Sequence, residues 1–136
     1  MSEHVYKVQC SKEKLRDIRN FVKDVLTGYG MPDVEVSTLV LAIDEVCANL
    51  IIHGHSCNVE DDIILKIDRE GDSVIFTIID KAELFDINEY EAPALEDIIK
   101  KQRKGGLGLI LVKRIMDDIQ ISRENHFNIC RLIKHT

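Results

Sequence analysis

Residues 39–55 read LVLAIDEVCANLIIHGH, and the organisation of the whole chain follows from them. Leu39, Ile43, Val46 and Leu50 recur at spacings of four, three and four, which places them on one face of a helix. Upstream, Pro32 and an N-cap at Asp33 begin that helix, so it is expected to run from about Val34 to His53, with Gly54 closing it. A second, polar stripe flanks the apolar one. Glu45, Asn49 and His53 follow one another at i, i+4 and i+8 and stack into a single column. Such a column is most often the solvated edge of a helix. Next to a phosphate or a cation the same groups have chemistry: an asparagine oxygen can ligate Mg²⁺, and a carboxylate can orient or deprotonate a nucleophile.

Elements are expected on both sides of this helix. Toward the N-terminus, Val5-Tyr6-Lys7-Val8 alternates as a short strand. Ser11 suits an N-cap, and Leu15, Ile18, Phe21, Val22, Val25 and Leu26 form one apolar stripe that ends near Gly28. Toward the C-terminus, Ile63–Ile67 and Ser73–Ile79 read as strands around Arg69-Glu70-Gly71-Asp72, whose glycine fits a hairpin turn. Asp80 stands where the second strand ends. From Lys81 to Lys104 the pattern dissolves into carboxylates (Glu83, Asp86, Glu89, Glu91, Glu96, Asp97) followed by Lys100, Lys101, Arg103 and Lys104. A connection of that length in a small domain is usually functional. Gly105-Gly106-Leu107-Gly108 then opens a helix through Leu111, Val112, Ile115 and Met116 to Asp118. The tail alternates at Ile119-Gln120-Ile121 and from Phe127 to Ile133. Together these elements predict an α+β fold: a two-layer sandwich of helices on a mixed, mainly antiparallel sheet of four or five strands, with residues 1–136 forming one domain.

Composition narrows the function. The chain has 136 residues, a net charge of −6, 45% hydrophobic and 31% charged residues, as an ordinary globular domain does. The acidic balance argues against a general nucleic-acid binder, and the basic cluster near Lys100 has no interleaved aromatics. No apolar stretch approaches the roughly 20 residues that span a bilayer. The start, MSEHVYKVQC, shows no secretory signal, and Cys10, Cys47, Cys57 and Cys130 form no CxxC pair, so a cytoplasmic protein with reduced thiols is expected. His53, His55 and Cys57 match no structural zinc pattern.

The glycine-rich turn before the last helix allows close backbone approach, and free N–H groups at a helix start attract phosphate. It is neither a Walker-A loop nor a dinucleotide fingerprint. Asp80 at a strand end can accept hydrogen bonds from an exocyclic amine or serve as a turn residue. In this order, an acidic-xxx-Asn helix, a strand-end Asp, a long irregular segment and a glycine-rich helix start resemble the Bergerat, or histidine-kinase-like, ATPase fold. The chain is most similar to bacterial anti-sigma factor serine/threonine-protein kinases. LVLAIDEVCANLIIHGH looks like their N-box helix, DKAELFD like their middle box, and KGGLGLILVKRIMDDIQISREN like their glycine box and final helix; the likeness extends from Val5 to Lys134.

The resemblance implies a role for each matching residue. Glu45 falls at the position that activates the attacking serine hydroxyl, and Asn49 at the Mg²⁺ ligand that joins the metal to the ATP phosphates. Asp80 falls at the residue that recognises the adenine amino group. Lys104, Gly105, Gly106, Leu107 and Gly108 match the phosphate-facing turn, and residues 86–104 the ATP lid. The implied activity is transfer of a phosphoryl group from Mg²⁺-ATP to a serine of a small anti-sigma-factor antagonist. A sigma factor or other regulator would be the competing partner, and a homodimer the assembly. One departure stands out: the family's middle box reads Asp-x-Gly-x-Gly, whereas here it reads Asp80-Lys81-Ala82-Glu83-Leu84. That change favours the alternative, a non-catalytic partner-switching module of the same fold that binds nucleotide weakly or not at all.

Overall fold

The computed structural model describes residues 3–9, 11–53, 62–80, 106–124 and 127–136. Five strands carry the sheet: β1 (His4–Gln9), β2 (Asp62–Glu70), β3 (Ser73–Asp80), β4 (Asp118–Glu124) and β5 (Phe127–His135). Their spatial order is β1-β2-β3-β5-β4, and each of the four pairings is antiparallel. This makes β3 the central strand, bonded to β2 on one side and β5 on the other.

The strands run past the apolar runs that mark them in the sequence. β2 and β3 remain paired to Glu70↔Ser73, so only Gly71 and Asp72 form the turn. Gly71 has φ +56°, a conformation that costs an L side chain about 1 kcal/mol or more. The C-terminus closes the same turn: the Thr136 backbone N–H and hydroxyl both donate to the Asp72 carbonyl, at 2.6 and 2.8 Å.

Three helices cover one face of this sheet. Ser11 caps a short 3-10 turn at Lys12–Lys14, its hydroxyl accepting from the Glu13 N–H at 3.3 Å, and the turn runs on into α1 (Leu15–Gly28). Helix α1 ends at Gly28, as its sequence suggests, and the chain leaves it through Gly30, whose φ is +81°. Helix α2 (Asp33–His53) begins one position earlier than its sequence suggests. The Pro32 carbonyl already accepts the Val36 N–H, so Asp33 is the first helical residue and not the cap. The third helix, α3 (Gly106–Ile115), ends three residues short of Asp118, which belongs to β4.

Their apolar stripes meet the inward side chains of the strands in one core. Ile18, Val22 and Leu26 of α1, Leu39, Ile43 and Val46 of α2, and Val112 of α3 pack with Ile63, Leu65, Ile67, Phe76, Ile78 and Leu132. At the β1 end Tyr6 stacks on Phe21, ring centroids 5.0 Å apart. An Arg19–Asp44 pair at 3.1 Å ties α1 to α2 at the surface.

Two outcomes test this packing. Leu39 is fully buried, so Leu39→Ala should cost roughly 2–5 kcal/mol, read as a lower urea midpoint at unchanged slope. Asp117 accepts the His135 backbone N–H at 2.6 Å and lies 3.6 Å from Lys134 Nζ. That backbone hydrogen bond first, and Lys134 second, hold its carboxyl below the usual carboxylate range. A depressed folded-state pKa contributes stability above the unfolded pKa that is lost as pH falls through the folded one. Asp117→Asn should therefore lower stability at neutral pH and flatten the acid limb of a stability–pH curve.

Candidate functional site

The end of the central strand holds a buried charge-bearing group. Asp80 is the last residue of β3 and is 3% exposed. Its register partner across the ladder is Asn128 of β5, itself 5% exposed, and the Asn128 Nδ2 donates to Asp80 Oδ1 at 3.2 Å. Alternation puts both side chains on the helix-covered face, because β3 places Val74, Phe76, Ile78 and Asp80 inward and β5 places Asn128, Cys130 and Leu132 inward. A carboxylate buried this deeply must be hydrogen-bonded to be tolerated. The amide donor fixes one oxygen and with it the plane of the carboxyl.

Helix α2 carries the polar column. The Asn49 Nδ2 donates to the Glu45 carbonyl at 2.9 Å, one turn back. The amide nitrogen is thus turned onto the helix, leaving Oδ1 as the acceptor end of the side chain. Glu45 is half-buried. Burial, and to a lesser degree the neighbouring Asp44 carboxylate, raise its pKa above the ordinary value. A carboxylate so placed is a stronger proton acceptor than a solvated one. Asp44 is engaged by Arg19 on α1.

Cys47, between Glu45 and Asn49, connects the two clusters. Its thiol is fully buried and kept protonated, by burial first and then by Asp44, Cys130 and Asp80, all close enough to act on it. The same side chain therefore lies within the electrostatic reach of the Asp44 carboxylate on α2 and of the β3 end. Helix α3 packs against α2. Gly106, Leu107 and Gly108 form its first turn, with no acidic residue there and Lys113 and Arg114 in its last.

Of the residues singled out in the sequence, Asp80 ends β3 within electrostatic reach of Cys47 on α2, and the Asn49 side chain is bonded to the Glu45 backbone carbonyl. Lys104, Gly105, the segment 86–104 and the middle-box residues Ala82 and Leu84 lie outside the described residues, as do Gly54, His55, Cys10 and Cys57. Among the described residues no cluster of three or more His, Cys, Asp or Glu side chains is arranged to hold a metal, and no helix is long and apolar enough to cross a membrane. Asn128 was not singled out. The alternation of Phe127–Ile133 reveals which face it occupies, but only the register of β3 on β5 reveals that it meets Asp80.

Comparisons with known proteins agree on the fold and on the family. The profile of the histidine kinase-like ATPase domain matches residues 8–134. A serine-protein kinase RsbW of Oceanobacillus iheyensis is 26% identical over 131 residues, covering 91% of this chain and 83% of the relative. Among solved structures, the RsbU and RsbW domains of a Mycobacterium tuberculosis protein superpose with a TM-score of 0.71 at 15% identity, over 99% of this chain and 32% of that one. The SiaB–SiaC complex of Pseudomonas aeruginosa contains a chain that superposes with a TM-score of 0.63 at 16% identity, over 96% of this chain and 88% of that one.

The Asp80–Asn128 contact can be measured directly. A double-mutant cycle of Asp80→Ala and Asn128→Ala, followed by urea unfolding, should give a coupling energy of about 1–2 kcal/mol. A coupling near zero would mean that the two side chains do not hold each other.

Proposed function

The chain belongs to the histidine kinase-like ATPase domain family, and we propose that it acts as an anti-sigma-factor-like serine protein kinase. In this reading it binds Mg²⁺-ATP and phosphorylates a small antagonist protein in a cytoplasmic partner-switching pathway. The observation that carries the reading is the buried Asp80 carboxylate, oriented by Asn128 at the end of the central strand. A fixed, buried acceptor suits an exocyclic amine such as adenine's and discriminates against a base with a carbonyl there, because the mismatch would set two acceptors against each other.

The other residues fit the same ligand by their chemistry. Asn49 presents a neutral oxygen, the donor a hard cation such as Mg²⁺ takes. The first turn of α3, built of Gly106, Leu107 and Gly108, offers backbone N–H groups and a positive helix end to phosphate, and Lys104 and Gly105 precede it. Bound Mg²⁺-ATP would supply the phosphoryl group and a counter-charge for it. The chain's own work is then to hold the base through Asp80, to hold the metal through Asn49, and to orient the incoming serine hydroxyl through Glu45. Glu45 receives the hydroxyl proton at its carboxylate, a task its raised pKa favours. The same proposal includes a homodimer, and a sigma factor or another regulator as the partner that competes with the antagonist.

A second reading is favoured by Ala82 and Leu84, which stand where the family has glycines: a partner-switching module of this fold that binds without catalysis. Titration calorimetry with ATP and GTP, each with and without Mg²⁺, separates the two. The kinase reading expects micromolar, Mg²⁺-dependent binding that prefers ATP and weakens at least about tenfold in Asp80→Asn. Asn49→Ala should abolish the metal dependence. Absence of binding at millimolar ATP would favour the module.

Glu45→Ala should leave nucleotide affinity nearly unchanged and slow phosphate transfer by roughly 10²–10⁴. In the wild type, the rate should fall with decreasing pH through a value above the ordinary glutamate pKa, since the base acts only when ionised. Transfer by Glu45→Ala at the wild-type rate would overturn the base assignment.

A further inference from the structure

Helix α2 has a face that its core packing does not use. At about 100° per residue, Val34, Thr38, Leu41 and Glu45 fall within roughly 60° of one another, on the side turned away from Leu39, Ile43 and Val46. The exposures follow this geometry. Val34 is 81% and Leu41 44% exposed, whereas Leu39 and Ile43 are fully buried. The Thr38 hydroxyl donates to the Val34 carbonyl at 2.9 Å, so its polar end is satisfied within the helix.

Single apolar residues scattered over a surface need no explanation. These two are in line with Glu45. Leu41 precedes it by one turn, about 6 Å along the axis, and Val34 by three turns, roughly 16 Å. On the other side of Glu45 the stripe continues to Asn49, whose side chain is bonded back to the Glu45 carbonyl. In the function proposed above, Asn49 faces the metal and the phosphates, and Glu45 meets the incoming serine hydroxyl. Nucleotide then occupies the C-terminal side of Glu45, and the N-terminal side of the stripe is left for the protein that brings the serine.

Size and charge describe that protein's surface. A partner in a standard interface covers roughly 800 Å², a patch of about 16 Å radius. Centred on a serine at Glu45, such a patch takes in Leu41 near its middle and Val34 at its rim. Helix α2 contains Asp33, Glu35, Asp44 and Glu45 and no Lys or Arg. Asp33 and Glu35 stand on either side of Val34 in the chain, and Asp44 is matched by Arg19 of α1. An apolar ridge set in carboxylates is complementary to an apolar patch with a basic rim.

We propose that Val34, Thr38 and Leu41 form the docking ridge for the protein that receives the phosphoryl group, and that this partner presents an apolar surface rimmed with Lys or Arg beside its acceptor serine. The inference rests on the kinase reading above and deepens it by giving the partner its surface.

The test begins with the full chain and γ-labelled ATP on an array of the purified, folded proteins of the source organism, followed by mapping of the labelled serine. Kinetics on the labelled protein then decide. Leu41→Lys should lower kcat/KM at least about tenfold through a higher KM, with kcat within about twofold of the wild type. Val34→Lys, at the rim, should lower it about threefold. Both positions are exposed, so both variants keep the core, and calorimetry should find their ATP affinity unchanged. Replacing a Lys or Arg beside the labelled serine by Glu should weaken transfer by the wild type and restore it to Leu41→Lys. Transfer by Leu41→Lys and Val34→Lys at the wild-type KM would overturn the surface and leave the kinase reading standing. A labelled serine without apolar and basic neighbours would overturn the partner chemistry. ATP binding with no protein labelled would overturn the kinase reading, and this surface with it.

Discussion

A carboxylate and an amide face each other across β3 and β5, both almost wholly out of water, at the end of the sheet's central strand. The surrounding architecture makes this contact possible. β3 is bonded on both sides, its last residue pairs with Asn128 of β5, and the Cys47 thiol of α2 lies within electrostatic reach of it. Burial of a carboxylate works against folding unless its oxygens are matched, at a penalty on the order of several kcal/mol. A residue chosen for stability alone would be apolar, as its inward neighbours Val74, Phe76 and Ile78 are. Position 80 is the exception among them, and in the function proposed above it serves recognition.

Helix α2 carries two tasks on two faces. Its apolar stripe, Leu39, Ile43 and Val46, is fixed in the core and gives the helix its position. That position in turn aims Glu45 and Asn49, which carry no packing role of comparable weight. The Arg19–Asp44 pair is partly exposed, so its contribution is small, well under that of the core contacts. What it does is hold one carboxylate beside Glu45 in a defined place, and that neighbour adds to the rise in the Glu45 pKa. Cys47 lies between Glu45 and Asn49 in the chain as a buried, protonated thiol.

Much of this was legible in the sequence, for reasons specific to each element. The 3-4 spacing of apolar residues in α1 and α2 reports a property of the isolated helix, and the buried residues coincide with it. Strand ends were less legible. Asp68, Arg69 and Glu70 look like turn residues, but the ladder to β3 carries them to Glu70↔Ser73, since register and not composition sets where a strand stops. The α1 terminus was legible too: the helix ends at Gly28, the first glycine after the stripe, and the chain then turns through Gly30. Glu45 and Asn49 were visible as a polar column beside the apolar stripe, and Asp80 as a carboxylate at a strand end. Asn128 was not, because its significance lies in a contact with a residue 48 positions away.

In the function proposed above, the polar turn of α2 and the Asp80–Asn128 pair are two halves of one nucleotide site. Amide hydrogen exchange of the full chain, with and without saturating Mg²⁺-ATP, reads both halves at once. Nucleotide should slow exchange together in three places: around Glu45–Asn49 on α2, at the end of β3 near Asp80, and at the start of β5 near Asn128. Protection confined to one of these, or none at saturating nucleotide, would contradict it.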